Sequence, residues 1–203
     1  MKSYKCCFCL TKINSPTIEE MGAYTREKLQ TFYGTFVNTI GRIAIRHKGK
    51  MFRIMGDDLS YYFPRTKDQT SVAAIKSVLE CCLKQIERRQ SLSEQMTGVQ
   101  SLEISYSVSA DYDIICEPES GDRFDSNTEF RVALPPLHRI GLKTPPNTIV
   151  LGYDLYNTIK KFPQLHDKYS FESIGDYILD SRKNISYSLY RLGRKQHLSK
   201  KVF

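Results

Sequence analysis

The sharpest chemical feature of the sequence is Gly56-Asp57-Asp58, set between the apolar runs 51–55 and 59–63. Two such runs joined by so short a turn form a β-hairpin, and this turn carries two carboxylates. Hard oxygen ligands of this kind suit divalent cations that accompany nucleotide phosphates, with water and phosphate filling the remaining positions. A two-metal centre, with ions ~4 Å apart, draws ligands from two backbone segments. Neighbouring residues of one strand point to opposite faces, so only one of Asp57 and Asp58 is expected to ligate. Ordinary turn chemistry also accounts for the spacing, because Gly and Asp favour tight turns.

The elements that must position this corner are legible along the chain. Residues 4–13 are aromatic and largely apolar and read as an opening strand. Residues 14–17 are a turn and helix start, with Thr17 and Glu20 spaced as a capping box. Leu29, Phe32, Phe36, Ile40, Ile43 and Ala44 then recur at three- and four-residue spacing, a long helix ended by Lys48-Gly49-Lys50. After the hairpin, Pro64 and residues 65–68 break the pattern. Val72, Ile75, Val78, Leu79, Cys82, Leu83 and Ile86 line one face of a second helix, which runs out near Gln90. In residues 102–110, Leu102, Ile104, Tyr106, Val108 and Ala110 face inward while Glu103, Ser105, Ser107 and Ser109 face outward, a half-buried strand. Residues 113–116 are expected to pair back with it. Residues 117–127 read as a polar loop, 148–151 as a short strand, 154–161 as a short helix, and 169–190 as two or three further strands. The order is βαββαββ with a small C-terminal αβαββ extension. A sheet with two helices on one face is an α+β sandwich, and the first portion is the ferredoxin-like βαββαβ arrangement.

Composition bounds the reading. The 203 residues suit one domain, 1–203. Hydrophobic residues at 40% and charged ones at 26% exclude a disordered chain, a collagen and a repeat array. No apolar run approaches the ~18 residues of a membrane span, and the opening residues lack the h-region of a secretion signal. A soluble cytoplasmic protein is expected, with no membrane partner. Thirty basic residues against twenty-two acidic ones give +8, a balance that permits polyanionic partners without choosing among them. Lys183, Arg191, Arg194, Lys195, Lys200 and Lys201 gather late in the chain, and residues 191–203 read as a solvated basic tail. The six cysteines, Cys6, Cys7, Cys9, Cys81, Cys82 and Cys116, show no zinc-binding spacing. Cys7 and Cys9 share one face of the opening strand and read as small hydrophobes, in keeping with a reducing compartment.

Taken together, these segments resemble the class III adenylyl/guanylyl cyclase homology domain, in the manner of its compact archaeal members. Residues 40–64 look like the stretch that ends one helix and reaches the Gly-Asp hairpin. Val108-Ser-Ala-Asp-Tyr112 looks like the fourth core strand, and Pro145-Pro-Asn-Thr-Ile-Val-Leu-Gly152 resembles the pro-gly-x-ile-x-val-ser segment. Ser173-Ile-Gly-Asp-Tyr177 resembles the late gly-glu strand. The likeness spans roughly residues 4–191, and it rests on order and spacing rather than on one strong motif.

The resemblance implies a nucleotide cyclase or palm-like fold and a purine nucleoside triphosphate as ligand. It implies Mg or Mn held by two aspartates on adjacent strands, and a site formed at a head-to-tail dimer interface. It places the second metal-binding aspartate at Asp57, and the first at Lys12, with Thr11 beside it. An ammonium cannot ligate a metal, though it can contact phosphate as a point charge. Glu19 and Glu20 read as exposed helix-cap acids. The purine-selecting position is Arg53, closer to the lysine that implies adenine than to the glutamate that implies guanine. The second purine-reading position falls near Thr128. The transition-state asparagine is replaced by Pro135, while the transition-state arginine is retained as Arg139. Pro135-Pro136 is also expected to spoil the helix usual there, unless both lie in its first turn.

The fold is thus expected to be kept and the catalytic set damaged: a pseudoenzyme-like cyclase domain in signal transduction, weak or inactive, homodimeric or paired with an active cyclase. Two alternatives stay open. One is an active cyclase converting a purine triphosphate to its cyclic monophosphate and pyrophosphate. The other, ranked last, is a polymerase-like palm, because the chain carries no aromatic-basic RNA motif and nucleic acid is not the expected partner.

Overall fold

A computed structural model describes residues 2–15, 25–55, 57–96, 104–117, 135–180 and 185–195. Its centre is one seven-stranded sheet in the order β2-β3-β1-β4-β5-β7-β6. The opening strand β1 (Lys2–Ser15) lies between β3 (Asp58–Phe63) and β4 (Ser105–Glu117), antiparallel to both. β2 (Lys50–Met55) forms the hairpin with β3. With α1 (Arg26–Arg46) and α2 (Val72–Glu87), these strands make the ferredoxin-like core.

Thr25 caps α1, its hydroxyl accepting from the Lys28 amide, and Phe32, Phe36, Ile40, Ile43 and Ala44 are buried from it. The capping box at Thr17 and Glu20 lies outside the described residues. Ser71 caps α2 by accepting from the Ala74 amide, and that helix buries Ile75, Val78, Leu79, Cys82 and Leu83 as its spacing predicts. Full burial of each large aliphatic or aromatic side chain contributes about 1.5–3 kcal/mol. A third helix, α3 (Arg89–Met96), follows after Arg88 and seats Leu92 against Phe36 and Tyr106. The described cysteines, Cys6, Cys7, Cys9, Cys81 and Cys82, are free thiols with no exposed surface. Burial pushes Cys7 and Cys9 above the usual thiol range.

β4 corrects the sequence reading twice. It is one strand through Glu117, with no separate strand at 113–116 pairing back on it. β1 is long enough to pair with it from Lys2 opposite Glu117 to Ser15 opposite Ser105. Nor is it half-buried, for Ser107 and Ser109 are both 1% exposed. The second sheet face carries its own helix, α4 (Pro135–Lys143), whose Leu137 packs with Cys6, Phe8, Leu10 and Tyr62. α4 is itself a correction. Its two prolines stand at the start of the helix, where a proline's missing N–H costs no hydrogen bond.

The extension comprises β5 (Ile149–Gly152), α5 (Tyr153–Ile159), α6 (Pro163–Lys168), β6 (Tyr169–Asp180) and β7 (Ile185–Arg194). β5 joins β4 in parallel and β7 antiparallel. β7 also overturns part of the basic-tail reading. Arg191 and Arg194 belong to this strand, and Arg194 binds Glu80 at 2.7 Å and Glu87 at 2.8 Å on α2. Among the described residues, no helix is long and apolar enough to cross a membrane.

Candidate functional site

The C-terminal end of β1 meets the β2–β3 turn. Lys12 stands opposite Asp58 in the β1–β3 register and opposite Ser107 in the β1–β4 register. The Ile13 amide donates to the Asp57 carbonyl at 3.0 Å, fixing turn against strand. Alternation then sorts the side chains. Thr11 and Ile13 face α1 and α2, while Lys12 shares the α4 face with Leu10 and Phe8.

The two aspartates diverge as adjacent residues should. Lys12 Nζ lies 3.3 Å from Asp58 Oδ1, with 26% and 12% of the two side chains exposed. Asp57 accepts a hydrogen bond from the Tyr33 hydroxyl of α1 at 2.8 Å. Burial, and then the Asp57 carboxylate, push Tyr33 up to about 12, so at neutral pH it keeps its proton and donates. Asp57 is therefore held by a phenol, and its neighbour Asp58 by a lysine.

Beneath the corner, a buried polar network fixes the strand end. The Thr11 hydroxyl donates to Gln85 Oε1 at 2.7 Å, and Gln85 Nε2 donates to the Tyr61 hydroxyl at 2.8 Å. The Tyr106 hydroxyl donates to the Gln85 carbonyl. Four elements, β1, β3, β4 and α2, are tied through one glutamine that is fully buried. Ser107, beside Lys12, buries a hydroxyl with no hydrogen-bond partner among the described residues. Sequence reasoning missed Tyr33, Gln85 and Ser107. Gln85 left one trace, a polar residue inside the apolar row of the second helix.

The other expected residues are spread over the α4 face. Arg53 is exposed on β2 opposite Ser60, which has the parity of Asp58 and Tyr62. Arg139 is exposed on α4, two residues after Leu137 and next to Ile140, which anchor that helix. Thr128, Glu19 and Glu20 lie outside the described residues.

The class III resemblance implies Mg or Mn, and the donors among the described residues do not fit a pair of such ions. A two-metal centre needs carboxylates from two segments; β1 offers an ammonium, and that ammonium is paired with Asp58. Among the described residues, no three His, Cys, Asp or Glu side chains come together to hold a metal. The corner instead presents one part-exposed cation and two engaged carboxylates, and the cation is able to contact phosphate oxygens by charge and hydrogen bond.

A buried carboxylate, Asp111, lies midway along β4. Asp111 Oδ1 accepts from the Tyr112 and Leu155 amides, both at 2.8 Å, and the Tyr187 hydroxyl donates to its other oxygen. It thereby caps α5 in place of Gly152, which has no side chain to do so. A Cβ at Gly152 would stand 1.9 Å from Asp111 Oδ2, so only glycine fits. Burial holds Asp111 up to about 7. Lys5 reaches Asp154 nearby at 2.5 Å.

No family model matches the sequence, and no curated relative matches it. Solved structures do. The adenylyl cyclase CyaB from P. aeruginosa superposes with a TM-score of 0.74 at 15% identity, covering 96% of each chain. The guanylate cyclase domain of RhGC from Catenaria anguillulae, solved with GTP, gives 0.73 at 12% identity over 97% of this chain and all of that one. An adenylate/guanylate cyclase/hydrolase from Silicibacter pomeroyi gives 0.62 at 14% identity over 95% of this chain and 98% of that one. Across nearly its whole length, the chain has the fold of the class III cyclase domains.

Proposed function

We propose that this cyclase-fold chain binds a purine nucleoside triphosphate at the β1–hairpin corner and turns it over weakly or not at all. The observation that carries this reading is the Lys12–Asp58 pair, with Lys12 Nζ 3.3 Å from Asp58 Oδ1. It puts a fixed positive charge where metal-assisted phosphoryl chemistry needs a carboxylate. Phosphoryl-transfer catalysis is mostly positioning and charge stabilisation, so a site short of a ligand on one strand loses most of its rate.

Binding asks less of these residues. Lys12 contacts a phosphate oxygen as a point charge. Arg53 reads the purine edge from β2, and Arg139 adds charge from α4. Asp57 keeps one carboxylate oxygen for a single divalent ion. The domain then serves as a nucleotide-sensing or partner-dependent half of a dimer, with itself or with an active cyclase whose acids complete the site. The exposed Leu142 of α4 and Ile54 of β2, at 59% and 57%, favour such a contact.

The test is a titration of purified protein with ATP and GTP, with and without Mg²⁺ or Mn²⁺, following binding and cyclic product. Binding with little or no product is expected, and Lys12→Asp should raise metal-dependent product. Metal-dependent product from the unaltered chain that vanishes in Asp57→Ala would overturn the reading.

A further inference from the structure

A cleft of about 120 Å³ lies away from the hairpin corner, where the end of α1, the end of β3 and the start of α2 meet. His47, Lys48, Arg65, Thr66, Ser71, Ala73 and Ser77 contribute to its wall, and no carboxylate does. Two formal cations therefore converge on one small space. Among the described residues, neither Lys48 nor Arg65 is paired with an acid.

The hydroxyls divide by what they already do. Thr66 accepts from the Cys7 amide and donates to the Phe63 carbonyl, and Ser77 donates to the His47 carbonyl, so neither has a proton to offer. Ser71 accepts from the Ala74 amide and keeps its proton free to donate. The Ala73 amide belongs to the first turn of α2, where backbone donors lack helical acceptors. The first turn of α2 holds no acidic residue to compete for them. Apart from the His47 imidazole, which burial holds below the usual histidine range and which keeps one acceptor nitrogen when neutral, every free group on this wall is a donor or a cation, and Arg offers the planar fork that matches an oxyanion.

We propose that this cleft binds a compact tetrahedral oxyanion of the phosphate class, with Arg65 and Lys48 supplying charge and Ser71 and the Ala73 amide supplying hydrogen bonds. Size excludes a whole nucleotide, since pockets for drug-sized ligands run from roughly 300 to 1,000 Å³. The chemistry is shared by free phosphate and by the terminal phosphoryl group of an ester. The mouth opens beside the exposed Lys48 and Arg65, so both can enter.

Amide chemical shifts of the ¹⁵N-labelled chain, titrated with inorganic phosphate at constant ionic strength and then with glycerol phosphate, test this. Saturable shifts confined to residues 47–49, 65–66 and 71–74 are expected. Arg65→Ala and Lys48→Ala should each weaken phosphate about tenfold, the loss of one charge-assisted contact. Equal shifts by the two ligands mean that esters are accepted, and phosphate alone means a free-anion site. Lys12→Met should leave these shifts intact while removing nucleotide binding, which keeps this site and the hairpin corner separately testable. Phosphate shifts centred on Lys12 and Arg53, no saturable shifts at all, or shifts unchanged in the Lys48→Ala/Arg65→Ala double variant would overturn the assignment.

Discussion

Asp111 carries two backbone amides and a phenol, yet burial outweighs them and holds it up to about 7 against an ordinary 3.8. Asp113 is held up to about 6, again chiefly by burial. The folded chain thus keeps protons that the unfolded chain releases. The stability these groups contribute is fully present below about pH 4 and is lost as pH rises through about 6 and 7. Urea unfolding should give a higher midpoint at pH 5 than at pH 8, other groups being equal. Asp111→Asn keeps an amide acceptor and removes the titration, so it should flatten that difference, leaving the smaller share of Asp113. An unchanged pH dependence in Asp111→Asn would refute the assignment. At Gly152 the geometry is equally direct. Gly152→Ala must displace a carboxylate from 1.9 Å, and with it the cap of α5. Its loss of stability should match the few kcal/mol of an overpacked site, about 1–3 kcal/mol, and a thermal midpoint within error of wild type would count against it. Neither residue was legible as a pair. Asp111 read only as part of the Val108–Tyr112 stretch, just past the alternating run, and Tyr187 lies 76 residues away.

At the scale of elements, β1 decides the site. It is interior to the sheet, pairs on both sides, and its ladder with β3 ends at Lys12. Gln85 of α2 holds that end through Thr11 and Tyr61. Gln85→Ala leaves the buried Thr11 and Tyr61 hydroxyls only each other, at 3.3 Å, in place of the amide, and the unmet hydrogen bonding costs about 1–3 kcal/mol. For a domain of this size, where 1 kcal/mol is about 2–4 °C, the midpoint should fall by roughly 5 °C or more. A fall under 2 °C would mean that water replaces the amide and that the network does not position β1. The helices and the hairpin were readable because 3.6-residue and two-residue periods follow from local geometry. β4 was misread because serines at alternate positions look like a solvent face. Ser107 and Ser109 are nevertheless buried, on the face where α4, some thirty residues later, packs with Gly141 close to Ser109.

For the whole molecule, the reading of a nucleotide-binding, weakly catalytic domain makes a thermodynamic demand. A ligand at a hundred times its Kd stabilises the folded state by about 2.7 kcal/mol, or roughly 5–11 °C here. ATP or GTP should raise the midpoint by that order in chelator, because Lys12 rather than a metal pair meets the phosphates, and Lys12→Met should abolish the rise. A rise seen only with Mg²⁺ or Mn²⁺ would restore the metal and send attention to Glu19 and Glu20. By itself, the sequence determined the α+β class, the ferredoxin-like order of the first elements and the buried cysteines. These are local matters of period, residue type and position. Only the tertiary structure decided that Asp57 meets Tyr33, that Asp58 meets Lys12, and that Arg194 leaves the tail to bind α2. Side chains meet through strand register and helix docking, and those pairings join residues tens of positions apart that no local pattern connects.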